Sequence, residues 1–379
     1  MPERILMVSP LARAGGAERA FASLVRNLPS FGVDPVVALL ERGPLEDWLD
    51  DYELIDARPE RPLRLDHTVP AVRRLTRLAR RSGARAVLSS KTRGHVFGGP
   101  AAAAAGVPAI WWSHEMPPRG LLYRRREPWR SYGVEEPARG IPAARVVCGN
   151  ERVAERQRRR TPHRKVTAIR PGLPVDAVAA RRGEGRELRR RLGLEGVPLA
   201  GIVGRLDRVK GHGLFLEAAA RVARARPDVR FPVVGAESMA VDRGYGAELS
   251  ERAAVLGLGE SALFTGHEPD AIPWLDALDV VVIASVSEAG PLVLGEAMAL
   301  GRPVVATRAP GAGDVLEHGR SGLLVPPGDP GAMAEAIVRV LEDGDLARQL
   351  GDRARARAGE FCERRMAARF AALVAEVVG

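Results

Sequence analysis

The sequence predicts an α/β protein built from two doubly wound parallel-sheet domains. Short apolar segments rich in valine and isoleucine alternate with amphipathic segments of helical period along nearly the whole chain. This alternation is typical of parallel sheets, because each crossover between parallel strands needs a helix to return the chain. The length of 379 residues fits two to three domains at roughly 150 residues each.

The predicted elements form two sets. The first half has strands at 5–9, 35–40, 86–90, 109–112, 146–148 and 166–170, with helices that include 17–28 and 69–81. The second half has strands at 199–203, 229–234, 263–265, 280–284 and 304–307, with helices that include 185–192, 212–225 and 332–341. We expect each half to fold around its own sheet.

A linker separates the two sets after the strand at 166–170. Residues 171–174 contain two prolines and a glycine, which interrupt helices and strands. We predict an N-terminal domain over 1–170 and a C-terminal domain over 171–359, with the last amphipathic helix, 360–378, packing back on the first. Such domains bind ligands at the carboxyl ends of their strands, so we expect the two to face a central cleft.

Arginine dominates the charge of the chain. The net charge is +10, and only 3 of the 57 basic residues are lysines, at positions 91, 165 and 210. Nucleic acid is not an expected partner, because 4% aromatic residues are too few for a base-stacking platform and no binding motif is present. The segment 121–130 interleaves arginines with aromatic residues, which predicts either peripheral contact with an anionic membrane or a solvated loop.

The chain lacks the features of a membrane-spanning or exported protein. No apolar run reaches the ~20 residues that cross a bilayer, and residues 1–9 are typical of a β-strand, not a signal peptide. Cys148 and Cys362 have neither disulfide nor metal-site spacing. We expect a cytoplasmic protein, with peripheral contact at the inner membrane face left open.

The most informative candidate site surrounds two carboxylates in the second half. Glu288 and Glu296 stand eight positions apart, after the strand at 280–284. Gly290 and Pro291 mark a turn that opens a helix, and the free amides and positive dipole end of a helix bind anions. The acids then predict hydroxyl-rich groups on either side of a phosphate, an order that a nucleotide-sugar has.

Two cations follow the first strand of the second half. Arg205 and Lys210 are both expected above the carboxyl edge of the sheet, where a diphosphate leaving group needs positive charge. For Arg205 the alternative is a surface ion pair with the neighbouring Asp207. Lys210 is harder to assign to the surface, because lysine is so rare in this chain.

The first half offers weaker signals. Gly15-Gly16-Ala17-Glu18 follows the first strand and permits close approach of the backbone to a ligand, although an ordinary turn is the alternative. His114 follows a strand end, where it can bind a sugar or serve an acceptor, or have a structural role. No G-x-G-x-x-G or Walker motif is present, so NAD and ATP sites are not expected.

Together these motifs resemble the retaining glycosyltransferases of family 4, which have the GT-B fold. The resemblance covers nearly the whole chain and is densest in the second half. It is carried by Gly15-Gly16-Ala17-Glu18, His114, Pro171-Gly172, Gly204-Arg205 with Lys210-Gly211, Phe264-Thr265-Gly266, and the block from Glu288 to Glu296.

The resemblance implies that the domain over 1–170 is the acceptor side and that the domain over 171–359 binds the nucleotide-sugar donor. It also implies roles for the candidate residues. Arg205 and Lys210 hold the diphosphate, Glu288 contacts the donor sugar, and Glu296 binds the ribose hydroxyls. Further implied contacts are Gly16 on the phosphate, His114 near the transferred sugar and acceptor, Gly266 and His267 beside the base, and Gly290, Pro291, Leu292 and Val293 around the phosphate. An aromatic residue often fills the position of Gly290 in the family, so the donor sugar stays open.

We therefore predict a retaining, metal-independent hexosyltransferase that uses a nucleotide-sugar, UDP-linked, and needs no cofactor. The acceptor is open among glycans, glycolipids and small metabolites, and GDP is the alternative to UDP. Two other functions compete: a nucleotide-sugar 2-epimerase of the same architecture, and a non-catalytic nucleotide-sugar binder. The two cations and both acids together favour transfer.

Overall fold

A computed structural model describes residues 2–10, 15–49, 54–56, 65–114, 143–162, 164–237, 244–286, 288 and 290–379. The chain divides into two compact units. Unit 1 comprises Met1–Leu173 and Cys362–Gly379, and unit 2 comprises Pro174–Phe361. Each unit has its own parallel sheet, so the predicted α/β fold class is confirmed.

Unit 1 contains a seven-stranded sheet with the order β3-β2-β1-β4-β5-β6-β7, and each neighbouring pair is parallel. Its strands are β1 Glu3–Ser9, β2 Val33–Leu39, β3 Leu54–Asp56, β4 Ala86–Ser90, β5 Ala109–Ser113, β6 Arg145–Cys148 and β7 Val166–Ala168. Its first helices are α1 Gly16–Asn27, α2 Leu65–Arg81, α3 Lys91–Ala105 and α4 Glu151–Arg160.

Unit 2 contains a six-stranded parallel sheet with the order β10-β9-β8-β11-β12-β13. Its strands are β8 Ala200–Val203, β9 Phe231–Val234, β10 Ala262–Gly266, β11 Val280–Ile283, β12 Val304–Thr307 and β13 Leu323–Val325. Its helices are α5 Val175–Ala180, α6 Glu184–Leu192, α7 His212–Ala225, α8 Tyr245–Val255, α9 Ile272–Ala277, α10 Leu292–Ala299, α11 Pro330–Glu342 and α12 Gly344–Arg357.

The C-terminal helix α13, Glu363–Val378, belongs to unit 1 and packs against α1. The Ser23 hydroxyl donates to Glu363 Oε2 at 2.6 Å, and the Phe370 ring centroid lies 4.8 Å from that of Trp112. Gly172 is needed here, because a Cβ atom on it would lie 2.5 Å from the Cα atom of Glu363.

The strands of unit 2 are apolar on both faces because helices cover both sides of the sheet. Val280, Val281 and Val282 are each no more than 1% exposed. A parallel sheet buried on both faces needs continuous valine and isoleucine runs instead of a polar–apolar alternation. This burial explains why the central strands were predictable from sequence.

Two edge strands were missed by the sequence prediction, namely β3 and β13. Each has only three residues, too few to show a period. The predicted elements are present, and most of their ends lie within two residues of the prediction, the usual uncertainty of element boundaries.

Each sheet reverses its winding direction at one place. In unit 1 the reversal lies between β1 and β4, and in unit 2 it lies between β8 and β11. Chains that leave two such neighbouring strands turn to opposite sides, which opens a crevice at the carboxyl ends of the strands. These two crevices are where the fold places a ligand.

Candidate functional site

The winding reversal of unit 2 is bridged by an ion pair between Lys210 and Glu288. Lys210 ends the short 3₁₀ turn Arg208–Lys210 after β8, and Glu288 lies on the loop after β11. The Lys210 ammonium donates to Glu288 Oε1, and the two side chains are 27% and 14% exposed. The sequence placed both residues at strand ends but did not predict that they pair.

Glycine at position 211 allows the β8 loop to lie against the end of β11. Gly211 has a φ of +76°, and a Cβ atom there would lie 2.1 Å from the carbonyl oxygen of Ala284. The Val286 N–H also donates to the Val209 carbonyl at 3.0 Å. Backbone contacts therefore join the two loops. They fix the backbone positions from which the Lys210 and Glu288 side chains extend.

Glu288 is also positioned from its other side. The Ser285 hydroxyl donates to Glu288 Oε1 at 3.0 Å, and the Ser285 carbonyl accepts from the Thr307 hydroxyl at the end of β12. Gly311, with a φ of +98°, passes so close that a Cβ atom would lie 2.9 Å from the Cβ atom of Glu288. The local sequence did not indicate that Ser285 and Thr307 support this carboxylate.

Arg205 forms an ion pair with Asp207 at 2.7 Å, which was the alternative prediction for this residue. The Arg205 side chain is 49% exposed. Asp207 also accepts from the Val209 N–H at 3.0 Å, which caps the 3₁₀ turn. Asp207 is largely buried, whereas the Arg205 end of the pair is open to solvent. The guanidinium is therefore a cation at the carboxyl edge of the sheet that an anion can reach.

Helix α10 begins at Leu292, one residue later than the predicted start at Pro291. Pro291 is the N-cap, and its ring offers no acceptor for the amides of the first turn, which includes Leu292 and Val293. Gly290 is half-buried beside it. This end of the helix presents backbone N–H groups and a positive dipole end, the usual features of an anion site.

Glu296 lies in α10, more than one turn after its start, and is 4% exposed. Its neighbours on the helix, Leu294 and Ala297, are fully buried. Glu288 and Glu296 therefore flank the start of α10, one on the loop before it and one inside it. This is the order that the sequence predicted for the two acids.

The end of β10 lies two strands from β8. Gly266 and His267 are exposed there. The Gly235 N–H at the end of β9 donates to the Gly266 carbonyl at 3.0 Å, and a Cβ atom on Gly235 would lie 2.2 Å from the Gly204 carbonyl. The carboxyl ends of β8, β9 and β10 are thus linked through backbone contacts of three glycines.

His212 directly follows the loop that carries Arg205 and Lys210. It was not predicted as a site residue from the sequence. It is the first residue of α7 and is fully buried. Burial lowers the pKa of the imidazole to about 4, so the ring is neutral near pH 7. Its position next to Gly211 makes it a structural support of the loop that carries Lys210.

In unit 1, His114 follows the end of β5. Its Nε2 atom lies 3.0 Å from the Ser90 hydroxyl, and its ring centroid lies 4.4 Å from that of Trp112. Burial, the charge of Lys91 and the nearby His95 hold the pKa of His114 well below its usual range. A neutral imidazole is therefore available to accept or donate a hydrogen bond.

Gly16 is the first residue of α1 and is exposed. Glu18, two residues further along α1, pairs with Lys91 at the start of α3. Neither side chain was assigned a role from the sequence, although the rarity of lysine is a signal that could have identified Lys91. This pair bridges the winding reversal of unit 1.

Several predictions concern residues outside the described ranges. The arginine–aromatic segment 121–130, and Ser287 and Ala289 within the acidic block, fall there. No group of three or more His, Cys, Asp and Glu side chains close enough to hold a metal ion occurs in the described part of the chain. None of the described helices combines the length and apolar content needed to cross a membrane.

Two family models match this chain. Residues 14–177 match the model described as Glycosyltransferase Family 4, and residues 197–343 match the one described as Glycosyl transferases group 1. The two matches together span most of both units.

Curated relatives match over part of their length. A D-inositol 3-phosphate glycosyltransferase of Corynebacterium urealyticum is 35% identical over 193 residues, which is 48% of this chain and 44% of the relative. An alpha-D-kanosaminyltransferase of Streptomyces kanamyceticus is 28% identical over 258 residues, 66% of this chain and 65% of the relative. The matched region thus spans about half to two thirds of the length of these relatives.

A solved structure matches the whole chain. Anabaena HepE in complex with UDP-glucose superposes with a TM-score of 0.85 at 22% identity, covering 98% of this chain and 99% of that one. The shared fold is of the GT-B class.

Proposed function

Because the chain belongs to the group 1 glycosyltransferases of family 4, we propose that it transfers a hexosyl unit from a UDP-linked sugar to an acceptor hydroxyl. The acceptor class is a glycan, a glycolipid or a small metabolite. The observation that carries the proposal is the Lys210–Glu288 ion pair at the winding reversal of unit 2. The relatives named above are transferases, which supports transfer over epimerisation or simple binding.

The positions of the charges match the order of groups in a nucleotide-sugar. Glu288 is assigned to the sugar hydroxyls, the start of α10 and Lys210 to the diphosphate, and Glu296 to the ribose. Lys210 pairs with Glu288, and its positive charge would offset the repulsion between that carboxylate and a diphosphate bound nearby. Gly266 and His267 are assigned to the base, beside β10.

The chemistry proposed is a front-side transfer that retains configuration. The bond from the anomeric carbon to the leaving phosphate oxygen breaks, and a bond to the acceptor oxygen forms on the same face of the sugar. The acceptor proton passes to the leaving phosphate. Arg205 and Lys210 stabilise the charge that develops on the diphosphate, a contribution of about 2–4 kcal/mol for one well-placed donor.

These cations also underlie the proposal that no metal ion is required. Arg205 and Lys210 supply two positive charges where a divalent ion would otherwise act. UDP release in the presence of excess EDTA should equal the rate with added magnesium. A rate that depends on magnesium contradicts this part of the proposal.

The choice of UDP draws on the Anabaena protein, whose structure contains UDP-glucose. A thermal-unfolding screen with UDP, GDP and ADP tests it, since a ligand at 100 times its Kd stabilises the folded protein by about 2.7 kcal/mol. UDP should raise the melting temperature most. Stabilisation by GDP alone overturns the donor assignment.

A product analysis tests the reaction itself. Full-length protein with UDP-glucose and an acceptor should give a glycoside whose anomeric configuration equals that of the donor, as read by NMR. Incubation with UDP-glucose alone should give no epimer. An inverted product contradicts the front-side mechanism, and an epimer formed without acceptor contradicts transfer.

A further inference from the structure

The loop after β12 packs against the loop that carries Glu288. In the sheet of unit 2, β11 lies between β8 and β12, so the Glu288 loop has a neighbouring loop on each side. On the β8 side, Lys210 pairs with the Glu288 carboxylate. On the β12 side, the backbone of Gly311 is so close that a Cβ atom there would lie 2.9 Å from the Glu288 Cβ atom and 3.0 Å from the Glu288 carbonyl oxygen. The position of Gly311 therefore limits where the Glu288 backbone can lie.

Gly311 has a backbone conformation that other residues rarely adopt. Its φ of +98° and ψ of −76° lie outside the regions that residues with a Cβ atom normally occupy. Glycine has many alternative conformations of similar energy, so a further interaction is needed to hold this one. The Gly311 N–H donates to Asp314 Oδ2 at 3.0 Å, across the 3₁₀ turn Ala312–Asp314. The Asp314 side chain thus fixes the backbone that contacts Glu288.

The turn that carries Asp314 is anchored in the core of unit 2. Ala312 and Val315, on either side of Asp314, are each 3% exposed. The Leu316 N–H donates to the Ala312 carbonyl at 2.9 Å, which closes the turn. Because the residues around it are buried and hydrogen-bonded, Asp314 has a fixed backbone position from which its carboxylate binds the Gly311 N–H.

We propose that Asp314 is a positioning residue for the donor sugar, and that it acts through Gly311 on Glu288. The role rests on the proposed glycosyl transfer, in which Glu288 binds the sugar hydroxyls. Lys210 and Ser285 bind the carboxylate of Glu288 directly. Asp314 sets the position of the backbone from which that side chain extends, so the two kinds of contact together determine where the carboxylate meets the sugar.

The start of α10 depends less on this contact than Glu288 does. Gly311 also approaches Pro291, since its would-be Cβ atom lies 3.0 Å from the Pro291 Cδ atom. The helix is held in place independently, because Leu292 and Leu294 are 6% and 0% exposed. Glu288, in contrast, lies on the loop between β11 and α10. Loss of the Asp314 hydrogen bond should therefore weaken sugar binding more than binding of the diphosphate at the helix start.

Asp314→Ala removes the acceptor of the Gly311 N–H. We expect kcat with UDP-glucose to fall about 10-fold and the Kd for UDP-glucose to rise about 10-fold, while the Kd for UDP stays within about threefold of wild type. Asp314→Asn should recover most of the loss, because the side-chain carbonyl of asparagine can accept the same hydrogen bond. One hydrogen bond is a small part of the free energy of folding, so both variants should fold.

Asp343→Ala is the matched control. Asp343 accepts from the Leu346 N–H at 2.9 Å at the start of α12, a hydrogen bond of the same kind in the same unit. This variant should keep the wild-type kcat and the wild-type Kd for both ligands. Equal losses in Asp343→Ala and Asp314→Ala would show that general destabilisation is responsible, and they would overturn the positioning role.

A double-mutant cycle tests whether Asp314 acts through Glu288. Substitutions that act on the same interaction give losses that do not add. In the Glu288→Ala background the carboxylate that Asp314 positions is absent, so adding Asp314→Ala should change the Kd for UDP-glucose by less than about twofold. A further loss of about 10-fold in that background would mean that Asp314 acts independently of Glu288, which contradicts the proposal.

Failure of this role and failure of the proposed transfer are distinguishable. If wild-type protein binds UDP-glucose but forms no glycoside, the proposed transfer is wrong, and the Kd values still measure the role of Asp314 in sugar binding. If wild type forms a glycoside and Asp314→Ala equals it in kcat and Kd, or loses affinity for UDP and UDP-glucose equally, Asp314 does not position Glu288 for the sugar.

Discussion

Lys210 and Glu288 are 78 positions apart in the chain, and their side chains form an ion pair over the boundary between β8 and β11. The Ser285 hydroxyl donates to the same carboxylate oxygen of Glu288 at 3.0 Å. This pair joins a cation that follows β8 to an acid that follows the neighbouring strand β11.

Glu288 is expected to bind the hydroxyls of the donor sugar and not the nucleotide. Replacing it by glutamine keeps the shape of the side chain but removes the charge that orders the sugar hydroxyls. Glu288→Gln should lower kcat about 100- to 1,000-fold while the Kd for UDP changes little. Steady-state kinetics and calorimetry on the same protein measure the two effects.

The control for Glu288→Gln is Glu335→Gln, since Glu335 is exposed on α11. It should leave both quantities as in wild type. A parallel loss of UDP affinity in Glu288→Gln would assign Glu288 to the nucleotide instead.

Glu296 is expected to bind the ribose hydroxyls of the nucleotide. Hydrogen bonds to a charged group contribute about 1.5–3 kcal/mol, so Glu296→Gln should weaken UDP binding about 10- to 100-fold. Pyrophosphate has no ribose, and its inhibition constant should stay the same. Equal weakening of both ligands would mean that Glu296 supports the fold of the site and does not contact the ribose.

Gly211 tests whether the contact between the two loops positions Lys210. An alanine there must adopt a left-handed backbone and place its Cβ atom 2.1 Å from the Ala284 carbonyl oxygen, so the loop must move. Gly211→Ala should therefore destabilise the protein and weaken UDP binding by at least about 10-fold. Urea unfolding and calorimetry measure the two losses.

Gly257 provides a matched control for that substitution. It has a φ of +73°, close to that of Gly211, but nothing lies within 4 Å of its would-be Cβ atom. Gly257→Ala should cost about 1–2 kcal/mol through backbone strain alone and leave UDP affinity unchanged. If both variants lose UDP binding equally, strain and not the loop contact is responsible.

The stability of the fold should fall below neutral pH because of His212. Burial lowers the pKa of its imidazole to about 4 in the folded protein, whereas the unfolded chain takes up the proton near pH 6.5. The unfolded state thus binds more protons between these values, so the contribution of His212 is complete above about pH 6.5 and is lost as pH falls towards 4. The loss between about pH 7 and pH 5 is on the order of 2 kcal/mol.

Urea unfolding of wild type and His212→Gln at those two pH values measures this contribution. The variant should lose less stability on acidification than wild type. His267→Gln, at an exposed histidine of the same unit, should follow wild type. An equal pH dependence in wild type and His212→Gln would show that His212 is not the group responsible.

The bounds of strands and helices were predictable from the sequence where burial imposes a pattern of apolar residues. The bounds of β4, β12 and α7 were predicted to the residue, because each strand begins with an apolar run that the sheet buries, and α7 starts after a glycine and keeps a helical period. The three-residue strands β3 and β13 carry no such pattern. β3 and β13 form strands because they pair with β2 and β12, and such long-range pairing is not visible in a short stretch of sequence.

The candidate site was predictable residue by residue but not pair by pair. Strand ends and a helix start identified Lys210, Glu288 and Glu296 from local signals. The order of strands in the sheet is a product of tertiary packing, so the sequence could not show that Lys210 contacts Glu288. The same reason hid the contact of Glu18 with Lys91, although both were visible as an acid after a Gly-Gly turn and a rare lysine.

The most direct measurement is the Kd for UDP of wild type and Lys210→Met, determined by calorimetry, with Lys165→Met as the control. If Lys210 holds the diphosphate, the Lys210→Met protein should bind UDP about 30-fold or more weakly, while Lys165→Met equals wild type. Unchanged UDP affinity in folded Lys210→Met protein would contradict the assignment of the Lys210–Glu288 pair to the donor site.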